Sequence, residues 1–289
     1  MSSLAVRSAD GTLIRAWSND GTGTPVLLCN GLGAPPSAWP GVVAPDSGYR
    51  VISWDYRGLG ESERPRDPAR VQVEDHVADA RAVLDAFGLR SALLVGWSLG
   101  VNVAFELALE DPDRASGVLA VAGVPGGSFS SLFGPMGLPR RLRAPAGHLS
   151  SRILPVVGPL LPLVARSLHP WQYLLSLAAM HPVVDAARLG TLTTVLREFG
   201  RHDWAWFRHL AVAVAGHAPL DVSSLRVPVT FLAGRHDSLV DVADMRTAAR
   251  RVPGSRYREL IGTHFLPLQY PETMLAELRL LAGVPSRMW

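Results

Sequence analysis

The sequence predicts an α/β protein, with a mostly parallel β-sheet covered by helices on both faces and a helical cap inserted into the sheet domain. Towards both ends of the chain, short continuous apolar runs alternate with segments of helical length. Strands of that composition are typical of parallel sheets that are buried on both faces. Residues 125–220 lack this alternation and instead contain apolar, arginine-dotted pieces interrupted by prolines. Because so long a stretch is not expected to be a structureless loop, we interpret it as the cap.

The individual elements follow from the lengths of the apolar runs and from their periodicity. The predicted strands are Pro25–Leu28, Val51–Trp54, Ala92–Val95, Gly117–Val121, Val227–Leu232 and Tyr257–Ile261. The predicted helices are Val73–Phe87, Leu99–Leu109, Asp241–Arg251 and Pro271–Leu281. A length of 289 residues suits one core with an insertion. We therefore expect a first core part over 1–124, the cap over 125–220 and a second core part over 221–289.

Composition excludes several classes of function. All 28 basic residues are arginine, which excludes a Schiff-base lysine and a phosphate-loop lysine. The net charge is only +3 and the basic residues are scattered, so the basic stripe of a nucleic-acid-binding protein is missing. The single cysteine, Cys29, excludes an internal disulfide and a cysteine-based zinc cluster. We expect it to be a small buried side chain.

The sequence also favours a soluble, cytoplasmic protein. The first residues, MSSLAVRSADGT, lack the apolar core and cleavage site of a secretory signal. The apolar stretch from Ile153 to Val164 is interrupted by prolines and a glycine and is too short to span a bilayer as a helix. We therefore expect no integral membrane segment.

The strongest chemical signal is Gly96-Trp97-Ser98-Leu99-Gly100. It follows an apolar strand and opens a helix, which is the context of a nucleophile elbow. Such a turn holds the serine in a strained conformation, and glycines two positions away on either side remove side chains that would collide. The start of the helix directs N–H groups and its positive dipole end towards a developing oxyanion. The alternative is a tight turn with an incidental serine.

A serine nucleophile needs a base, and the base needs an orienting acid. Asp237 follows the strand predicted at Val227–Leu232, and His264 lies between the last strand and the last helix. Both loops leave the carboxyl ends of strands, where parallel sheets build their sites. The chain order Ser98, Asp237, His264 is the order that this kind of site uses.

Rivals for the base and the acid stay open. His236 adjoins the predicted acid, and His169, His181 and His202 lie in the predicted cap. Asp221 and Asp241 are alternative acids, whereas the segment after the strand Gly117–Val121 contains no carboxylate.

Two glycine-rich loops follow strands near this site. Asn30-Gly31-Leu32-Gly33 is predicted to supply the second oxyanion donor, so that the N–H groups of Leu32 and Leu99 form the pair. A glycine turn without a chemical role is the alternative. The loop Asp55–Ser62 is expected to be structural.

These segments, together with the stretch GTHFLPLQYPE that carries His264, resemble the α/β-hydrolase superfamily over essentially the whole chain. The resemblance implies an eight-stranded, mostly parallel sheet, a helical cap over the site, and neither a metal nor an organic cofactor. Relatives usually carry His-Gly where this chain has Asn30-Gly31. An Asn-Gly start is similar to that of intracellular polyester depolymerases, and an asparagine can hold the loop through hydrogen bonds.

The resemblance also separates this chain from some relatives. Haloalkane dehalogenases and epoxide hydrolases of this fold use an aspartate nucleophile, whereas position 98 is serine. Carbon–carbon bond hydrolases typically show asparagine before the serine, where this chain has Trp97.

The sequence therefore predicts a serine hydrolase that cleaves small carboxylic esters with an apolar acyl or alcohol part. Trp97 and Phe265 are the residues expected to contact the substrate. Alternatives of the same fold are a carbon–carbon bond hydrolase, a lactonase and a perhydrolase; a non-catalytic ligand-binding receptor is the alternative of another class. The apolar cap is expected to roof the pocket, although packing onto the sheet, a membrane surface or a homodimer contact would suit it too.

Overall fold

The computed structural model describes residues 1–157 and 186–283. Its strands are β1 Ser2–Arg7, β2 Leu13–Ser18, β3 Thr24–Cys29, β4 Tyr49–Trp54, β5 Ala92–Trp97, β6 Ala115–Val121, β7 Val229–Gly234 and β8 Arg256–Leu260. The described helices are α1 Val73–Ala86, α2 Gly100–Glu110, α3 Ser128–Ser131, α4 Arg140–Ser151, α5 Leu154–Val157, α6 Ala186–Phe199, α7 Trp204–Ala215, α8 Val242–Arg251, α9 Leu266–Gln269 and α10 Pro271–Leu281.

The strands form one 8-stranded sheet in the order β1-β2-β4-β3-β5-β6-β7-β8. β1 pairs antiparallel with β2, and β2 pairs antiparallel with β4, whereas all other pairs are parallel. This is the α/β-hydrolase fold that the resemblance implies, and the prediction of an α/β protein with a mostly parallel sheet is confirmed. All six strands predicted from apolar runs are present, with ends shifted by a few residues.

The sequence did not locate β1 and β2. The outer strand β1 is exposed along almost its whole length, and β2 contains the polar residues Arg15 and Ser18, so neither reads as a continuous apolar run. The two pair in full register from Ser2 opposite Ser18 to Arg7 opposite Leu13. An edge hairpin of this kind is specified by its partner strand more than by its own composition.

Both faces of the sheet are covered. On β3, Leu27 and Cys29 belong to one apolar cluster, whereas Val26 and Leu28 belong to the other. This alternation sends successive side chains to opposite faces, as strand geometry requires. In the sheet, β4 lies on one side of β3 and β5 lies on the other side. The chain therefore crosses from one side of β3 to the other between β4 and β5. The carboxyl ends of β3 and β5 therefore lie at the point of the sheet where ligand sites form.

Between β6 and β7 the described residues contain helices and no strand. Helix α7 begins after Asp203, whose carboxylate accepts hydrogen bonds from the N–H groups of Ala205 and Trp206. Its apolar side packs into the same cluster as α1 and α2. His169, His181 and most of the apolar cap stretch fall within 158–185, outside the described residues. In the described ranges, no helix has the length and apolar character needed to cross a membrane.

Candidate active site

Ser98 occupies a strained turn between β5 and α2. Its φ is 55°, in the left-handed region that residues other than glycine rarely adopt. Its N–H donates to the carbonyl oxygen of Val121 on β6, at 3.0 Å. A Cβ at Gly100 would lie 2.0 Å from the carbonyl oxygen of Cys29, and one at Gly96 would lie 2.7 Å from the Cα of Val101. Both glycines therefore permit close backbone approach around the serine, as strand–turn–helix packing here requires.

Ser98, His264 and Asp237 meet at the carboxyl edge of the sheet. The Nε2 of His264 lies 2.9 Å from the Oγ of Ser98, and its Nδ1 lies 2.9 Å from Oδ2 of Asp237. His264 and Asp237 are 6% and 3% exposed, and Ser98 is half-buried. The geometry is that of a nucleophile, a base and an orienting acid in hydrogen-bond contact.

The carboxylate of Asp237 has two distinct sides. Oδ1 accepts hydrogen bonds from the N–H groups of Leu239 and Val240, at 2.8 and 3.0 Å. Oδ2 is thereby directed at His264. The rival aspartates have other partners: Asp241 caps helix α8 through the N–H of Ala243, and Asp221 accepts from the N–H of Ser223. The structure therefore brings only Asp237 of the three to the histidine.

His264 is positioned by the residue that precedes the serine. The indole Nε1 of Trp97 donates a 3.0 Å hydrogen bond to the carbonyl oxygen of His264. The neighbouring Thr263 donates through its N–H to the side-chain oxygen of buried Gln269, at 2.8 Å. Of the rival histidines in the described residues, His236 is exposed and His202 contacts a different loop.

The two predicted substrate contacts lie in different surroundings. Trp97 is only 3% exposed and packs edge-on against Trp39, with ring centroids 6.0 Å apart. Its indole has little surface left for a substrate, because the last residue of β5 faces the core below Gly31. Phe265 is half-buried beside His264, with the two rings 6.2 Å apart. The structure thus gives Trp97 a buried, supporting position and leaves Phe265 next to His264.

Asn30 braces the loop that follows β3. Its Oδ1 accepts from the indole of Trp39 and from the N–H of Gly31, both at 2.9 Å. Its Nδ2 donates to the carbonyl oxygen of Ala34 at 2.8 Å, and its own carbonyl accepts from the hydroxyl of Tyr56 at 2.9 Å. The side chain of Asn30 therefore holds this loop through hydrogen bonds, as the sequence predicts.

The N–H groups of Leu32 and Leu99 are free to act as donors. Leu32 lies in the loop braced by Asn30, and Leu99 is the residue directly before helix α2. Among the described residues, neither N–H has an intramolecular acceptor. Leu99 directly follows Ser98, and Leu32 lies in the loop after β3, the strand that pairs with β5. Their placement suits a pair of donors to one oxygen atom.

Sequence reasoning missed Asn102, which joins the turn at Ser98 to the residues that follow β6. Its Nδ2 donates to the carbonyl oxygen of Leu99 at 3.0 Å and to the hydroxyl of Ser128 at 3.2 Å, and its Oδ1 accepts from the N–H of Gly126 at 2.7 Å. The signal that could have found it is a single polar residue in the apolar first turns of α2, two positions after Gly100. Gly123 was missed as well: a Cβ there would lie 2.4 Å from the carbonyl oxygen of Ser98.

Two nearby titratable groups are not part of this arrangement. Complete burial raises the pKa of the Cys29 thiol well above its usual range, so it stays protonated and is no nucleophile. Burial likewise raises the pKa of Asp55, whose carboxylate accepts from the N–H of Glu61. In the same loop, the fully buried Arg57 pairs with Asp79 at 2.7 Å, which fits the structural role expected of this loop.

Comparison with known proteins agrees with the fold described above. Residues 24–149 match a family model described as the alpha/beta hydrolase fold, and this range contains Ser98 and the loop after β3. With the sheet order and the full-length structural matches given next, the chain has the α/β-hydrolase fold.

Similar proteins carry several activities. A putative carbamate hydrolase RutD of Caulobacter segnis is 38% identical over 99 residues, which are 34% of this chain and 37% of that protein. Epoxide hydrolase B of Mycobacterium tuberculosis is 35% identical over 92 residues, 29% of this chain and 26% of that protein. The alignments thus span roughly a third of the length of these curated relatives.

Solved structures match over nearly the whole chain. An esterase, RhEst1, from Rhodococcus sp. ECU1013 has a TM-score of 0.71 at 22% identity, covering 99% of this chain and 100% of its own. An enol-lactonase from Burkholderia xenovorans LB400 has a TM-score of 0.68 at 22% identity, covering 98% and 100%. At this identity the likeness establishes the fold alone.

Proposed function

We propose that this protein is a serine hydrolase that transfers the acyl group of a carboxylic ester to water. The observation that carries the proposal is the unbroken hydrogen-bond contact from Ser98 through His264 to Asp237, with the serine on a strained strand–helix turn. A serine hydroxyl is a poor nucleophile unless a neighbouring base takes its proton. The 2.9 Å contact to Nε2 of His264 meets that need.

The reaction has two halves. Ser98 Oγ attacks the ester carbonyl carbon while His264 Nε2 takes its proton, and the carbonyl π electrons become the oxyanion. The N–H groups of Leu32 and Leu99 donate to that oxyanion. As the carbon–oxygen bond to the alcohol breaks, the alkoxide takes the proton from His264. Water then attacks the acyl-serine with His264 as base, and the acid and free serine are released.

Asp237 serves this cycle without changing its own protonation. Because Oδ2 accepts from Nδ1, the neutral imidazole keeps its proton on Nδ1 and presents a bare Nε2 to Ser98. The negative charge then stabilises the imidazolium that forms at each proton transfer.

Esters are the substrate class that the site supports best. An alkoxide leaves more readily than an amine, and a serine nucleophile suits acyl transfer and not the aspartate-based opening of epoxides. The half-buried ring of Phe265 beside His264 offers an apolar contact to the acyl or alcohol part. Esterase and lactonase are among the names of the structural neighbours, and a lactone is a cyclic ester.

The remaining proposals concern the setting of the enzyme. We place the cap at residues 125–220, supported by the helices and the lack of strands in its described parts. A buried, unpaired Cys29 suits a reducing compartment, and we propose a cytoplasmic location.

The test is hydrolysis of p-nitrophenyl esters, from acetate to palmitate, by the wild type and Ser98→Ala. We expect activity that peaks at one chain length and is lost in the variant. Lack of turnover with Ser98 still labelled by a fluorophosphonate would redirect the proposal to lactones, peracids or carbon–carbon bonds. Lack of labelling together with tight binding of a small ligand would identify a receptor and refute the enzyme.

A further inference from the structure

His202 connects the segment between α6 and α7 to the loop after β3. Its Nε2 lies 2.8 Å from the carbonyl oxygen of Gly33, which is 169 residues away along the chain. A carbonyl oxygen only accepts, so Nε2 must carry the proton and donate. The contact therefore fixes the role of this ring nitrogen.

The ring of His202 is held in place by two aromatic neighbours. It stacks on Phe207, with centroids 5.8 Å apart and planes 22° apart, and meets Phe199 edge-on at 5.5 Å. Gly33 has a φ of 69°, and a Cβ there would lie only 2.5 Å from the histidine Nε2. A side chain at position 33 would collide with His202, so this close contact between the histidine and the loop depends on the glycine.

From Gly33 the hydrogen bonds continue to the predicted oxyanion donor. The carbonyl of Gly33 shares a peptide unit with the N–H of Ala34, which donates to the carbonyl of Gly31 at 2.9 Å. The carbonyl of Gly31 shares its peptide unit with the N–H of Leu32. The described chain contains no cis peptide, so each unit carries its C=O and N–H on opposite sides. The result is a continuous chain from His202 through two peptide units to the N–H of Leu32.

We propose that His202 is a positioning residue for the acyl-transfer reaction. By donating to Gly33, it polarises the two peptide units and orients the N–H of Leu32 towards the oxyanion. Hydrogen bonds in series strengthen one another, and a preorganised donor acts mainly on the transition state. This inference rests on the proposed function. It implies that full activity requires the segment that carries His202 to be in contact with the loop after β3.

His209 provides a matched control. It is also half-buried, its Nε2 lies 2.7 Å from the carbonyl oxygen of Pro68, and its ring packs on Trp206 with centroids 5.1 Å apart. His209→Phe removes the same kind of bond between this region and the core, but away from the loop after β3. His202→Phe keeps an aromatic ring on Phe207 and loses the donor, whereas His202→Gln keeps a donor.

The experiment compares kcat, KM and the hydrogen exchange of the Ala34 amide in the wild type and these three variants. We expect His202→Phe to lower kcat about tenfold with KM changed less than about twofold, because the lost interaction acts in the transition state. His202→Gln should recover most of kcat, and His209→Phe should match the wild type. The Ala34 amide should exchange faster in His202→Phe only.

Equal kcat and equal Ala34 exchange in His202→Phe and His209→Phe would overturn the inference. A rise in KM alone would also overturn it, because that result assigns His202 to substrate binding. If the wild type cleaves no ester, the proposed function fails, and the exchange of Ala34 alone then decides whether His202 holds the loop. If His202→Phe fails to fold, the His202→Gln variant decides. Normal folding with a normal kcat supports the series of hydrogen bonds from His202 to Leu32, and a tenfold loss of kcat contradicts it.

Discussion

The indole Nε1 of Trp97 donates to the carbonyl oxygen of His264, 167 residues further along the chain. The residue before Ser98 thus holds the backbone of His264. Since Ser98 and His264 are also 2.9 Å apart through their side chains, the loops that carry these two residues are joined twice. We therefore expect Trp97 to influence the proposed reaction by fixing this geometry.

We predict that Trp97→Phe lowers kcat as well as stability, so that the effect of Trp97 on the reaction can be distinguished from its effect on folding. The buried carbonyl of His264 loses its donor, which should lower the free energy of unfolding by about 1–3 kcal/mol. Loosening of the base should lower kcat by about tenfold, with little change in KM. Denaturant unfolding and steady-state kinetics measure the two effects.

Trp206→Phe is the control for that variant. Its indole donates to the carbonyl of Arg57 at 2.8 Å, again between buried groups. We expect a similar loss of stability and near-normal kcat. Equal losses of kcat in both variants would show that Trp97 matters only for folding.

A second prediction compares a glycine that is tightly surrounded by backbone atoms with one that has free space around it. At Gly100, a Cβ would lie 2.0 and 2.5 Å from the carbonyl oxygens of Cys29 and Asn30, so Gly100→Ala should destabilise the protein by about 1–3 kcal/mol or more. Gly190 lies within α6 and has nothing within 4 Å of its Cβ position. Gly190→Ala should therefore stabilise by about 0.5–1 kcal/mol. Thermal unfolding measures both, and a Gly100→Ala protein as stable as the wild type would contradict the packing described at the elbow.

A third prediction concerns the acid stability of the buried pair Arg57–Asp79. Burial alone would raise the pKa of Asp79, but the nearby ring of His76, 3.5 Å from Oδ2, and the hydrogen bonds from Arg57 outweigh it, so its pKa lies below the ordinary value. The stability from this pair is therefore fully present above the unfolded pKa of about 3.9 and is lost as the pH falls through the folded pKa. Asp79→Asn should cost about 3–5 kcal/mol at pH 7, because it leaves Arg57 buried with less compensation.

The variant should also show a shallower loss of stability below pH 4 than the wild type, since one titrating carboxylate is gone. Asp20→Asn is the control: Asp20 is an exposed partner of the N-terminal amine at 3.1 Å, and its φ of 58° suits asparagine equally well. Urea unfolding from pH 2 to 7 measures both. If the free energy of unfolding depended on pH in the same way for the wild type and Asp79→Asn, the prediction would be contradicted.

Local patterns sufficed for the elbow and the core strands. Ser98 was found because a buried strand, a glycine-flanked turn and a helix are adjacent in sequence, and the order of strand-end loops then led to Asp237 and His264. The contacts of Asn102 and His202 could not be predicted because they join segments far apart along the chain, as His202 does with Gly33. The burial of Trp97 could not be predicted for the same reason: its place beside Ser98 is visible in the sequence, whereas its packing against Trp39 is not.

The last prediction tests which aspartate orients His264. In Asp237→Asn, the side-chain oxygen is expected to keep the two N–H donors of Leu239 and Val240, because only an oxygen can accept them. The amide NH2 then faces Nδ1 of His264, which must become an acceptor, so the proton moves to Nε2. An imidazole in that tautomer cannot take the proton of Ser98.

We therefore expect kcat to fall by about 10⁴ with little change in KM or in thermal stability, because the shape of the site is preserved. Asp241→Asn is the matched control, since Asp241 caps helix α8 and pairs with Arg143 at 2.9 Å but does not touch the histidine. It should lose some stability and keep its kcat. Steady-state kinetics of the two variants, with their melting temperatures, decide the matter: a large loss of kcat in Asp241→Asn and none in Asp237→Asn would move the acid to the rival residue.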